Sequence, residues 1–381
     1  MHRYRTIGAA AVIATAALAL AAGPAAAAAP RPESNLGSGG DAVFVQSDNP
    51  AANTVVAYER AADGSLTPAN TYATGGLGGV LAGSVVDHLA SQGSLVYDRA
   101  HQLLIAVNAG SDTISVFAVH GSELALLQIL ASGGSFPVSV TVHGNLVYVL
   151  NALEGGSVQG YSIAAGRLFA LPDSRRSLGL NPTATPQFVN TPGQVAFTPD
   201  GERLIVTTKA NGNDIDVFGV DRLGLLSPTP VVNAEPGAVP FAVAFDAAGH
   251  IALAEAGPNA VATFALRPEG TVEELDSVAT GQAATCWIAV DGSVLFASNA
   301  GAASVSSVSV APWGALTLLA TTSTDGGTVD AATSADGRFL YVQTGAAGLL
   351  DAFRVGPDGS LSKIGSVTVP DAVGGEGIAA S

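Results

Sequence analysis

The sequence predicts an all-β fold, a seven-bladed β-propeller of four-stranded blades, from three observations. A hairpin-like unit recurs along the chain, its basal spacing suits one blade, and no helical periodicity separates the copies. The copies are NTVVAYERAADGSLTP (53–68), DTISVFAVHGSELALLQ (112–128), GSVQGYSIAAGRLFALP (156–172), NDIDVFGVDRLGLLSP (213–228), NAVATFALRPEGTVEEL (259–275), ASVSSVSVAPWGALTLL (303–319) and GLLDAFRVGPDGSLSKI (348–364). Each holds a β-rich run, a Gly-centred turn and a second run, the signature of a hairpin. Their central residues, Tyr58, Phe117, Tyr161, Phe218, Phe264, Val308 and Phe353, lie 59, 44, 57, 46, 44 and 45 residues apart. A β-helix needs shorter repeats, and a sandwich does not repeat.

Residues 1–29 precede the repeats. Arg3 and Arg5, a short alanine-rich apolar run and an Ala-x-Ala stretch before Pro30 form a secretory leader pattern. Residues 30–40, PRPESNLGSGG, read as a flexible linker, and 41–381 as the propeller. The mature chain is expected outside the cell, soluble and monomeric, with no membrane partner.

Loss of the leader removes two positive charges and no acid, which takes the formal net charge from -16 to -18. Such a surface repels nucleic acid. A single cysteine, Cys286, cannot close an internal disulfide, so stability must come from a core drawn from 48% apolar residues. Cys286 reads as a small buried hydrophobe.

Before most of the quoted hairpins stands another, as in QVAFTPDGERLIVTT (194–208) and DAATSADGRFLYVQ (330–343), so each repeat supplies four strands. The first repeat enters at DAVFVQS (41–47), which corresponds to a second strand. EGIAAS (376–381) looks like the missing first strand, and would close the ring. The two long spacings place insertions at about Gly76–Ser91 and Asp173–Thr191, both at the rim where second strands end, the top.

Counting back nine or ten residues from the central residue puts a polar residue at the end of the second strand in repeats two to seven, Asn108, Asn151, Lys209, Glu255, Asn299 and Gln343, and matching VFVQS to LYVQT adds Gln46 in the first. A ring of amides broken by a Lys209–Glu255 pair is a candidate polar site at the channel mouth. Asn after a strand is also an ordinary turn former, and the charged pair suits either an interblade salt bridge or ligand contact. His88 is the one mature histidine on this rim.

First-strand entrances add Gln92, Gln194, Trp287, Asp330 and Glu376 as candidate ligand contacts. The Trp287 indole can stack on a ring-shaped ligand or pack between blades. No zinc spacing, nucleophile elbow or phosphate loop is present, so no cofactor is expected; the top carries many acids, among them Asp48, Asp87, Asp112 and Asp371, which leave calcium open although their loops lack a calcium-binding order.

In TPGQVAFTPDGERLIVTTKANGNDIDVFGVD, QGSLVYDRAHQLLIAVNAGSDTISVFAV and ADGRFLYVQTGAAGLLDAFRVGPDGSL the chain resembles the seven-bladed propeller lactonases, the family of bacterial 6-phosphogluconolactonases and fungal carboxymuconate-lactonizing enzymes. The resemblance covers roughly 41–381 and is nearest to an exported, actinobacterial branch, through SQGSLV (91–96), AVNAGS (106–111) and CWIAV (286–290). It implies a lactone hydrolase. In the family's enzymes an Arg-His stretch typically opens certain innermost strands. The openings here, PGQVAF (192–197), PFAVAF (240–245) and PVSVTV (137–142), have none, so no family catalytic residue carries over.

Two functions are therefore expected at the top face. One is hydrolysis of a neutral or weakly charged lactone, with Glu255 directing water or acting as base, Lys209 stabilising the oxyanion and His88 as reserve base. The other is a non-enzymatic module that holds a small molecule or peptide.

Overall fold

The computed structural model describes residues 41–381; the leader (1–29) and the linker (30–40) read from the sequence lie outside them. Seven antiparallel sheets follow one another around an axis, each with its first strand innermost. The first blade takes its inner strand from the chain end. Ile378–Ala380 pairs with Ala42–Gln46 in the register Val43↔Ala380 and Val45↔Ile378, which closes the ring as expected.

Period-2 alternation builds the core, because a strand packed between two blades buries both of its faces. The central residues Tyr58, Phe117, Tyr161, Phe218, Phe264, Val308 and Phe353 are all buried. Each contributes about 1.5–3 kcal/mol of apolar burial. In five blades the third and fourth strands shift register at this residue, as between Ala57 and Tyr58 or Thr263 and Phe264. Such bulges increase local twist and help each outer strand follow the propeller's curvature.

Neighbouring blades are pinned where a hairpin turn meets the next sheet. Gly64, at φ 91°, lets its turn lie against the Phe339 ring, and its carbonyl accepts from the Tyr341 hydroxyl at 3.0 Å. A side chain there would collide with that ring. The Tyr148 hydroxyl does the same to the Gly224 carbonyl at 2.7 Å.

Both insertions appear where the spacing puts them, between Ala73 and Leu95 and between Ala170 and Gln194. The second adds Arg176–Ser177, paired to the third strand of blade three, and a short helix at Gln187–Asn190. Among the described residues no helix is long and apolar enough to cross a membrane.

Candidate functional site

The two insertions meet over the top of the ring. Ala82 donates its amide to Gln187 Oε1 at 2.9 Å, and Gly83 packs against Pro186 and Phe188. From there the first insertion crosses the axis. Gln92 and the backbone of Ile288 exchange two hydrogen bonds of 2.9 Å, and the Trp287 indole N–H donates to the Ser91 carbonyl at 2.6 Å. Chain entering blade two is thus tied to blade six, on the other side of the axis.

Between this strap, the second insertion and blades four to six lies a chamber of about 220 Å³. Phe188, Phe241 and Trp287 supply aromatic wall, and Val85, Val86, Val189 and Val239 aliphatic wall. Val85, 82% exposed, stands at the outer lip. The ionisable side chains in the lining are Asp87, Lys209 and Cys286.

Lys209 is 1% exposed. Its ammonium donates to Ala90 O at 2.5 Å, Phe188 O at 2.7 Å and Thr191 Oγ1 at 3.2 Å, and lies 5.2 Å from the centre of the Phe241 ring. Three protons meet three acceptors, two from the second insertion and one from the first. The lone cation therefore ties both insertions to blade four. Burial pushes its pKa down to about 7, against the opposing pull of Asp87, Cys286 and Glu376.

The expected ring of second-strand ends needs correction. Backbone pairing makes Asn108, Asn151, Glu255 and Asn299 equivalent, each opposite the residue four before the central one of its third strand. The same position is Ser47 in blade one, Thr208 in blade four and Thr344 in blade seven. Gln46 and Gln343 come one residue early and Lys209 one late, at φ 51° beyond a strand that ends at Thr207. In a pleated strand one residue reverses the face, so Lys209 and Glu255 do not project alike.

The Lys209–Glu255 pair accordingly does not form: no carboxylate reaches Lys209 as an ion pair among the described residues, and Glu255 is absent from the chamber wall. Burial, then the neighbouring Glu274 and Glu235, raise Glu255 to about 7. The amides bond inside the scaffold, with Asn151 Oδ1 and Gln343 Oε1 buried there and without a partner among the described residues. Asn108 bonds to Asn53, Thr113 and Ser115; Asn151 to the Ser132 carbonyl; Asn299 to Thr285, Ser304 and Ser306; Gln343 to the Gln46 carbonyl. None lines the chamber.

Gln194 is a clamp too, accepting from the Val243 amide at 2.6 Å, as Gln92 is at Ile288. His88 is half-buried outside the chamber wall, with burial lowering its pKa. Of the expected contacts, Lys209 and Trp287 remain in the lining.

Asp87, which the sequence places among the acids of the top without assigning it a role, is the carboxylate of the chamber. Its oxygens accept from the amides of Leu89 at 2.8 Å and Ser91 at 3.0 Å, which fixes the turn and aims the carboxylate inward. Burial raises it to about 6, held there by those amides and by Lys209. Behind it on the axis lie Asp48, Asp330 and Glu376, fully buried. Burial lifts Asp48 to about 8 and Asp330 to about 7, and Glu376 well above its ordinary value. Asp48 accepts from the Glu376 amide at 2.7 Å, and Glu376 from Ser91 Oγ at 3.3 Å. Asp330 and Glu376 therefore belong to this axial group rather than to the wall. Among the described residues no three His, Cys, Asp or Glu side chains are arranged to hold a metal ion.

Residues 83–374 match the family model described as Lactonase, 7-bladed beta-propeller. The chain belongs to the seven-bladed β-propeller lactonase family. No curated protein sequence matches it. Among solved structures, this lactonase-family chain is similar to a protein of Bacteroides fragilis described as a candidate 6-phosphogluconolactonase, at 19% identity and a TM-score of 0.71, over 92% of this chain and 100% of the other. A periplasmic gluconolactonase of Pseudomonas aeruginosa superimposes at 18% identity and a TM-score of 0.69, over 89% and 98%. At these identities the likeness is one of fold.

For this lactonase-family propeller the clamp on Lys209 has a measurable consequence. Lys209→Met keeps the side chain's length and removes its three hydrogen bonds. Amide exchange in 76–94 and 173–191 should accelerate by roughly ten- to a hundredfold, the equivalent of losing charged hydrogen bonds. Global stability should not fall in proportion, because the variant also removes a buried charge. Unchanged exchange in both insertions would show that Lys209 does not hold them.

Proposed function

We propose that this protein is a lactone hydrolase acting on a neutral or weakly charged lactone in the top-face chamber, with Asp87 as the base. The observation that carries this reading is a lone carboxylate in a largely apolar chamber on a lactonase-family propeller. A pKa of about 6 leaves Asp87 ionised yet basic near neutrality, as a general base requires. Asp87 takes a proton from water as the water oxygen bonds to the lactone carbonyl carbon. The tetrahedral intermediate then expels the ring oxygen, which takes that proton back from Asp87 and leaves a hydroxy acid. Lys209 contributes positive charge to the wall but no direct hydrogen bond, its protons being engaged. The net charge, -18 once the leader is lost, disfavours anionic substrates. A panel of lactones followed by acid release tests the reading, and a lack of turnover across it would refute hydrolysis.

The saturation of Lys209 favours a second reading, a binding module on the same chamber, in which a lactone or similar small molecule is held without turnover. Either way we place the mature protein outside the cell, on the leader pattern of residues 1–29. Protein recovered from culture medium should begin near Pro30. Retention of Met1 in exported protein would contradict this.

A further inference from the structure

We infer that the chamber selects lactones bearing an apolar alkyl or aryl substituent, and disfavours polyhydroxylated sugar lactones. This rests on the chamber being the ligand site proposed above, and adds which chemical class fits it.

The polar capacity of the wall is largely consumed by the protein. Lys209 has donated all three protons, and the Trp287 indole N–H is given to Ser91 O. Each Asp87 oxygen already holds a backbone amide. Part of the backbone around the wall is paired as well: Ala256 N donates to Val239 O and Ala300 N to Ala284 O. Among the lining side chains, what remains is lone-pair capacity on one carboxylate and a buried thiol at Cys286. A sugar lactone brings several hydroxyls, each a donor and an acceptor that must leave water. One carboxylate cannot satisfy them all, and every hydroxyl left unpaired weakens binding about tenfold or more.

An apolar substituent meets the opposite situation. Phe188, Phe241 and Trp287 with Val86 and Val239 offer contact without a polar atom to satisfy, and each methylene buried is worth about fourfold in affinity. The one large side chain of the wall that is exposed has the same character: Val85 is 82% exposed.

The test compares kcat/KM for γ-butyrolactone, γ-hexalactone, γ-octalactone and γ-decalactone with that for glucono-1,5-lactone, alongside calorimetric binding of the same compounds. The expected result is a rise of about fourfold per methylene until the chamber is full, with the sugar lactone at least roughly a hundredfold below the best alkyl lactone. Ala256→Leu adds three carbons to the wall and should move the optimum to shorter chains. A flat alkyl series, or a sugar lactone that equals the best of them, overturns the inference while leaving hydrolysis standing. Chain-length-dependent binding without turnover supports the inference and refutes hydrolysis. Absence of both binding and turnover overturns both.

Discussion

Asp87→Asn is expected to lower kcat for lactone hydrolysis by about 10²–10⁴-fold, the range spanned by a lost general base. The amide retains a carbonyl oxygen to accept one of the two N–H donors from Leu89 and Ser91, so the turn keeps much of its support. What disappears is the proton acceptor. KM should change less than kcat, since the aromatic and aliphatic wall is untouched. In the unaltered protein kcat/KM should rise as pH climbs through about 6, where Asp87 loses its proton. Glu255 titrates near 7, so the pH profile alone does not separate the two carboxylates. Substitution does: Glu255→Gln should retain turnover, because that carboxylate lies outside the chamber. If Glu255→Gln abolishes activity and Asp87→Asn does not, the base has been misassigned.

Thermal stability should fall between pH 5 and pH 8, against the usual trend for proteins with ion-paired carboxylates. Asp48 at about 8, Asp330 at about 7, Asp87 at about 6 and Glu376 well above its ordinary value all bind a proton more tightly folded than unfolded, where 3.8–4.5 applies. A raised carboxylate contributes stability that is fully present below the unfolded pKa and lost as pH climbs through the folded one. Lys209 runs the other way. Its lowered pKa lets the unfolded chain hold the extra proton between about 7 and 10.5, so its contribution improves above 7. One amine does not offset four acids. The net loss is on the order of several kcal/mol, or about 10 °C in Tm. Glu376→Gln should flatten the slope and raise Tm at pH 8, whereas Glu273→Gln on the exposed outer wall should leave the slope nearly intact. A Tm that rises toward pH 8 would mean that these acids are not buried together.

The repeat made the architecture readable before any coordinates. Hydrophobic alternation and Gly-centred turns recur because every blade must bury both faces and reverse direction in the same places. The unpartnered strand at EGIAAS announced the closure, and the long spacings announced the insertions. The rim was harder, because loop length there is not periodic. Four residues, 256–259, join Glu255 to its partner strand in blade five, while five, 209–213, follow Thr208 in blade four. A fixed count back from Phe218 therefore lands on Lys209 instead of Thr208, and one residue is enough to exchange an interblade position for an inward one.

The chamber wall was least legible. Asp87, Phe188 and Val85 come from insertions with no repeat to align them, and their neighbours are distant in sequence. Asp87–Ser91 carried a local cue, an aspartate two and four residues before the amides it caps, but nothing in the sequence aimed that turn at blade six.

The most direct measurement is a crystal structure of the Asp87→Asn variant soaked with γ-octalactone. Lactone is expected in the chamber between Phe188, Phe241 and Trp287, its ring toward position 87 and its alkyl chain against the valines. A chamber left empty while the lactone occupies another surface would contradict this.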